Sequence, residues 1–247
     1  MNKKNVWNNK LFGAVLLLFS VVILASFILR IIFYRFEFDP KYYPVDYGRF
    51  NYFSYFTIQS NFFICVYYFL SAVSIFTGRC SGIRRPQVGL IATTYILITG
   101  AVYCSGFPMG LTPPFVWDTP YHTMLNCIQV LHHVIIPLLT LAFWLMQSNP
   151  PAIRLSFLPV IGIYPFVYSV FCILRGAFIK PAFYAYPFYN PYFIVDTIAK
   201  GKEIPLVWGY VTMLPLMIVG IGLFILVAFI LLKIHNRQVK AKENSSY

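Results

Sequence analysis

Six long runs of apolar residues constrain this chain more than any other feature. They lie near 11–33, 52–76, 87–107, 122–146, 156–179 and 206–232. A bilayer hydrocarbon core of roughly 30 Å takes about 20 helical residues to cross, so each run has the length of a membrane span. The runs are continuous rather than alternating, which favours helices over a spanning β-barrel. We therefore predict an all-α, polytopic membrane protein, a single domain over residues 1–247 that forms a bundle of six transmembrane helices.

The composition agrees with this prediction. Hydrophobic residues make up 59% of the chain and charged residues only 11%, a balance that soluble domains of this size do not show. The first run could be mistaken for a secretory signal because Lys3, Lys4 and Lys10 precede it. It is longer than a signal core and lacks a small-residue cleavage site at its end, so we interpret it as the first span.

The basic residues predict the orientation of the chain. The termini and the connections after the second and fourth runs carry eleven basic residues against one acid, Glu243. These basic residues are Lys3, Lys4, Lys10, Arg79, Arg84, Arg85, Arg154, Lys233, Arg237, Lys240 and Lys242. The other connections carry eight basic residues and six acids. Basic residues beside membrane spans set topology, so both termini are predicted to be cytoplasmic, and the net charge of +12 does not indicate nucleic-acid binding.

Two of the predicted spans carry polar stripes. In the second, Ser54, Thr57 and Asn61 share one helical face, with Ser60 alongside. In the fourth, one stripe runs along the helix and consists of His122, Asn126, Gln129 and His133, while His132 lies about 100° off it. Polar side chains in a span face protein or water, so the second and fourth spans are expected to share a polar cavity.

Such a cavity permits acyl-transfer chemistry. An imidazole within hydrogen-bond reach of a threonine hydroxyl can take its proton as the hydroxyl attacks a carbonyl. Asn61, Asn126 or Gln129 could orient the imidazole or stabilise an oxyanion. The alternative is that the stripes are interhelical hydrogen bonds that only hold the helices together, at about 0.6 kcal/mol per contact.

Metal and cofactor sites are not predicted. Adjacent histidines on a helix point about 100° apart, so His132 and His133 cannot chelate one ion as i, i+4 histidines do. The five cysteines are scattered, without the spacing of a zinc site or a disulfide framework.

Arg175 is a candidate ligand for an anionic lipid group. It lies near the predicted outer end of the fifth span, where snorkelling to the interface also explains a guanidinium. The guanidinium fork suits a headgroup or a fatty-acid carboxylate. The outer connections, rich in aromatic residues and proline, form either an interfacial belt or a cap over the substrate.

Five short motifs in this order resemble the prokaryotic six-transmembrane proteins related to the eukaryotic androgen-induced membrane proteins. They are Phe53–Asn61 (FSYFTIQSN), Thr99–Tyr103 (TGAVY), Leu131–Pro137 (LHHVIIP), Arg175–Gly176 and Tyr186–Pro191 (YPFYNP). The resemblance covers most of the chain from the second span to the last outer connection. It implies location in a bacterial inner membrane.

The resemblance also implies an activity. The eukaryotic relatives hydrolyse esters between fatty acids and hydroxy fatty acids, with a threonine early in the second span and a histidine in the fourth. Thr57 matches that threonine. The matching histidine depends on its spacing from the proline that ends the LHHVIIP motif. A spacing of five positions identifies His132, and a spacing of four identifies His133. The polar stripe favours His133.

The leading hypothesis is an intramembrane hydrolase of fatty-acyl lipid esters, with Thr57 as nucleophile and His133 or His132 as general base. Ser60, Asn61, Asn126, Gln129 and Arg175 are the predicted substrate-binding or supporting residues. The predicted partner is a membrane lipid, with no nucleic acid. The alternatives are a transporter or lipid-binding protein that uses the same cavity without catalysis, and a purely structural partner.

Overall fold

The chain is described by a computed structural model over residues 9–35, 45–110, 112, 114–146, 151–199 and 201–244. Every regular element in these ranges is helical, and six helices are long and apolar enough to cross a membrane, as predicted. These are Lys10–Ile32, Phe56–Thr77, Pro86–Gly106, Pro120–Leu145, Leu155–Phe178 and Val207–Asn244, here called the first to sixth spans. Of the residues used to predict the orientation, Lys3, Lys4, Glu37, Asp39, Lys41 and Lys200 lie outside the described ranges.

Capping residues account for several helix ends. The Asn9 side chain accepts the Leu11 N–H, and Thr119 accepts the His122 N–H, which satisfies backbone donors that the first helical turn leaves open. The second span ends at Gly78, whose φ of 74° is the left-handed conformation that glycine adopts without strain.

The second and sixth spans differ from the sequence prediction at their ends. The residues before Phe56 form a separate short 3₁₀ helix, Arg49–Ser54, so the second span begins later than predicted. The sixth helix continues to Asn244, well past the predicted end at 232, because its polar terminal residues are also good helix formers. The connection between the fifth and sixth spans carries two further short elements, a 3₁₀ turn at Pro187–Tyr189 and the helix Pro191–Ala199.

The fourth span is interrupted by a π-helical turn at Leu131–Ile135. Pro137 lies two residues past it and has no N–H to donate to the carbonyl of His133, four residues earlier. The amide of Ile136 donates to Leu131, five residues back, rather than to His132, four residues back. The wider turn therefore relieves the proline and places both candidate histidines in a locally irregular backbone.

Two apolar cores hold the spans together. The first span packs along the second, with Leu16, Ile23, Ile64 and Tyr68 fully buried in the core between them and the fourth span. The other core joins the third, fifth and sixth spans. Polar side chains of the first four spans meet between these cores, toward the end where the second span begins. We call this predicted outward-facing end the outer end.

Candidate functional site

Buried polar residues from four spans form one layer near the outer end of the bundle. We call this set the polar layer; it consists of Ser26, Thr57, Ser60, Asn61, Thr99, His132 and His133. All are buried except Thr57, which is half-buried. Burying so many polar groups is favourable only if they are hydrogen-bonded, so their partners decide what the layer can do.

Thr57 lies in the first turn of the second span and is bonded to an outer tyrosine. Its N–H donates to the Tyr186 phenol oxygen at 3.1 Å, and its Oγ1 lies 3.3 Å from the same oxygen. Within the described residues, no hydrogen bond joins the Thr57 hydroxyl to either imidazole. The resting structure therefore does not form the threonine–histidine pair that the sequence suggests.

His133 is fixed in one tautomer by its own helix. Its Nδ1 lies 2.9 Å from the carbonyl oxygen of Gln129, and a carbonyl can only accept, so the proton must be on Nδ1. The ring stacks on Tyr103 of the third span, with centroids 3.7 Å apart and planes at 14°. Nε2 of the neutral ring is consequently a lone-pair acceptor, the state that a general base requires.

His132 points in a different direction and pairs with the first span. Its Nε2 lies 2.7 Å from the Ser26 hydroxyl, and its ring centroid lies 5.2 Å from that of Phe27. The Ser26 hydroxyl also lies 2.6 Å from the Ile23 carbonyl. Only 4% of Ser26 and 1% of His132 is exposed.

Sequence reasoning missed Ser26, although a serine in the apolar first span was a usable signal. A hydroxyl beside an imidazole is a nucleophile–base arrangement only if the hydroxyl donates to the ring. Because the Ser26 hydroxyl donates to the Ile23 carbonyl, the contact with His132 is instead an interhelical hydrogen bond that joins the first and fourth spans.

Asn61 connects the second and fourth spans. Its Nδ2 donates to the carbonyl of Thr57 at 2.9 Å and to that of His132 at 3.3 Å. Its Oδ1 is buried and accepts no hydrogen bond within the described residues. A buried acceptor without a donor is costly, so Oδ1 is a point where a ligand hydroxyl or amide would be stabilised.

Ser60 connects the second and third spans at the same depth. Its hydroxyl lies 2.8 Å from that of Thr99, and each hydroxyl also bonds a carbonyl of its own helix. Gly100 follows Thr99 in the third span, and a Cβ added to it would lie 2.5 Å from the His133 carbonyl oxygen. The absence of a side chain at Gly100 therefore permits the third span to pack closely against the π turn.

The structure places the remaining predicted site residues elsewhere. Asn126 donates to the Val116 carbonyl at 2.6 Å and so fastens the outer connection to the fourth span. The Gln129 side chain is exposed, and only its backbone carbonyl serves the site. Within the described residues, neither the Asn126 nor the Gln129 side chain therefore bonds to Thr57.

Arg175 belongs to a separate cluster at the outer end. Its guanidinium donates to Ser54 Oγ at 2.8 Å and to Asn51 Oδ1 at 2.6 Å, and it lies 4.5 Å from the centre of the Phe183 ring. These contacts hold the 3₁₀ helix that precedes the second span. The same contacts suit an arginine that positions the 3₁₀ helix and an arginine that binds an anionic ligand.

Two apolar grooves lie on the outside of the bundle. One, of about 480 Å³, is lined by Phe53, Gln59, Phe62, Phe63, Val66 and Tyr164. On the second span, its lining positions lie on the face opposite Thr57 and Asn61. The other, of about 640 Å³, runs along the fifth span from Val167 to Ile179. Both grooves are apolar, as expected of a surface that contacts the acyl chains of a bilayer. Neither groove is lined by a residue of the polar layer.

Among the described residues, no group of three or more His, Cys, Asp or Glu side chains is arranged to hold a metal ion. No family model, no curated protein and no solved structure matches the chain. The assignment of a function to the candidate site therefore rests on the geometry of its residues.

Proposed function

We propose that the protein is a membrane-embedded hydrolase of fatty-acyl lipid esters, with Thr57 as nucleophile and His133 as general base. The observation that carries this choice is the bond from His133 Nδ1 to the Gln129 carbonyl. It leaves Nε2 as an unprotonated acceptor in a buried site. His132 Nε2, by contrast, is already paired with Ser26.

The packing supports placing Thr57 and His133 in one site. The second and third spans run antiparallel, and the Ser60–Thr99 contact aligns them. Thr57 lies about one helical turn, or 5.4 Å, from this pair toward the outer end of the second span. Tyr103 lies about as far along the third span in the same direction. Because the Tyr103 ring stacks on His133, this register supports a common depth for Thr57 and the His133 ring.

The proposed reaction has two halves. Thr57 Oγ1 attacks the ester carbonyl while its proton moves to His133 Nε2, and the alcohol leaves with that proton. Water then attacks the acyl-threonine while giving a proton to His133, and that proton passes to Thr57 Oγ1 as its bond to the acyl carbon breaks and the fatty acid is released. Substrate entry must bring the O–H bond of Thr57 into line with His133 Nε2, since no hydrogen bond joins these groups in the resting structure.

Location and partner follow from the same proposal. We propose a bacterial inner membrane, both termini in the cytoplasm and a lipid substrate that enters from the outer half of the bilayer. The resemblance to the androgen-induced membrane protein relatives supports this activity and belongs to the same proposal.

The decisive experiment is hydrolysis of a long-chain 4-nitrophenyl ester by the purified full chain, together with labelling by a fluorophosphonate probe. Thr57→Ala and His133→Ala are expected to abolish both. Thr77→Ala, which removes a hydroxyl from the opposite end of the same span, is the matched control. Hydrolysis by Thr57→Ala at the parental rate would end the proposal.

One observation favours a second candidate, a lipid-binding or transport protein that performs no catalysis. The unpaired Asn61 Oδ1 offers a buried acceptor for a polar lipid group without any need for a nucleophile. Under that proposal, Asn61→Leu weakens lipid binding while the parent protein hydrolyses no ester. Any hydrolysis that depends on Thr57 decides for the enzyme.

A further inference from the structure

Tyr186 lies over the first turn of the second span and contacts the proposed nucleophile directly. It belongs to the outer connection between the fifth and sixth spans, and its phenol oxygen meets both the N–H and the Oγ1 of Thr57, at 3.1 and 3.3 Å. These are distances for a moderate and a weak hydrogen bond. They tie the connection between the fifth and sixth spans to the proposed nucleophile.

The ring of Tyr186 is held by neighbouring aromatic residues. It stacks on Phe188, with centroids 5.1 Å apart and planes at 5°. It also meets the edge of Tyr55 at 5.7 Å. Contacts on two sides restrict the ring, so the phenol oxygen has a defined position relative to Thr57.

The donors and acceptors indicate where the phenol proton points. A backbone N–H can only donate, so the phenol oxygen accepts from Thr57 N–H. In the 3.3 Å contact between the phenol and Thr57 Oγ1 either oxygen can donate; since the phenol oxygen already accepts from the Thr57 N–H, its proton is available to Oγ1. Burial raises the pKa of Tyr186 to about 12, which keeps the phenol protonated near neutral pH.

We propose that Tyr186 is a positioning residue for Thr57, donating its phenol proton to Thr57 Oγ1 so that the threonine's own proton is directed to the base. This inference depends on the proposed hydrolysis. In the attack, Oγ1 bonds to the acyl carbon, the threonine proton moves to His133 Nε2, and the alcohol leaves with it. Tyr186 retains its own proton throughout.

The test compares Tyr186→Phe with Tyr189→Phe in the purified full chain. Tyr189 lies in the same connection, but its phenol bonds the Ser169 hydroxyl at 2.6 Å rather than Thr57. For a long-chain 4-nitrophenyl ester, Tyr186→Phe is expected to lower kcat about tenfold with KM unchanged, because an interaction with the reacting hydroxyl has been removed. The rate of fluorophosphonate labelling at Thr57 falls by the same factor, whereas Tyr189→Phe leaves both near the parental values.

A second substitution keeps the ring and the hydroxyl in case Tyr186→Phe unfolds. Incorporation of 3-fluorotyrosine at position 186 makes the phenol more acidic, so the alkaline limb of the kcat profile is expected to move to lower pH. A purely structural tyrosine would leave that limb in place and would overturn the inference.

The two proposals fail in different ways. If Thr57→Ala is inactive while Tyr186→Phe behaves like Tyr189→Phe, the positioning role is wrong and the hydrolase stands. If Thr57→Ala is as active as the parent, the hydrolase itself is wrong and the positioning role is overturned with it.

Discussion

The Asn61 side chain donates to the backbone carbonyl of His132 across the interface of the second and fourth spans, with 3.3 Å between Nδ2 and the oxygen. The same amide nitrogen donates to the Thr57 carbonyl at 2.9 Å. One residue thus links the turn that carries the proposed nucleophile to the turn that carries both histidines. Because Asn61 is fully buried, no water competes for these bonds.

Asn61→Ala is expected to destabilise the protein measurably. It removes the link to the fourth span, and interhelical hydrogen bonds in membranes contribute about 0.6 kcal/mol on average, up to about 1.7 kcal/mol. Thermal unfolding of the purified protein in one detergent measures the change. Gln129→Ala is the control, since it removes an exposed side-chain amide that has no hydrogen bond within the described residues. Equal midpoints for the two variants would contradict the bridging role.

Ser26→Ala separates the two hydroxyl groups that could react. If Thr57 is the nucleophile, we expect the variant to keep its labelling at Thr57 and to lose about 1 kcal/mol of stability, the ordinary contribution of a hydrogen bond. Peptide mapping of the fluorophosphonate adduct gives the answer. An adduct found on Ser26 in the parent, and lost in the variant together with activity, would move the nucleophile to the first span.

Gly100→Ala is expected to destabilise the bundle by about 1–3 kcal/mol, the usual cost of overpacking. Its Cβ would meet the His133 carbonyl oxygen at 2.5 Å and Pro137 Cγ at 3.1 Å. Gly222→Ala in the sixth span is the matched control, because nothing lies within 4 Å of the Cβ it would add. Thermal midpoints should fall for the first variant and rise slightly for the second, since alanine is the better helix former. A neutral Gly100→Ala would show that the third span can move away from the π turn.

The predicted orientation can be tested with a single exposed thiol. Cys80 lies in the connection between the second and third spans and is exposed. With Cys80 as the sole cysteine, a membrane-impermeant maleimide should label permeabilised cells but not intact ones. Trp117→Cys in a cysteine-free chain places a thiol in an exposed outer connection and should be labelled in both. The reverse pattern would place the termini outside.

The resting position of the proposed nucleophile also differs from what spacing alone suggests. The order of the motifs predicts that Thr57 and a histidine form a pair. In the structure, the Thr57 hydroxyl bonds to Tyr186 and His132 bonds to Ser26. Both partners come from parts of the chain far away in sequence. A periodicity argument compares positions on one helix and contains no information about such neighbours.

The amino-acid sequence by itself determined the helical class and the six candidate spans, because span length and apolar composition are local properties that the bilayer thickness fixes. It also identified the second and fourth spans as the polar ones. Tertiary structure alone decided where those polar groups point. The π turn at Leu131–Ile135 breaks the 3.6-residue period within the predicted stripe, and there His132 faces Ser26 while His133 faces Tyr103. Gln129, one turn earlier, is exposed because no neighbouring span in the described part of the chain covers that face.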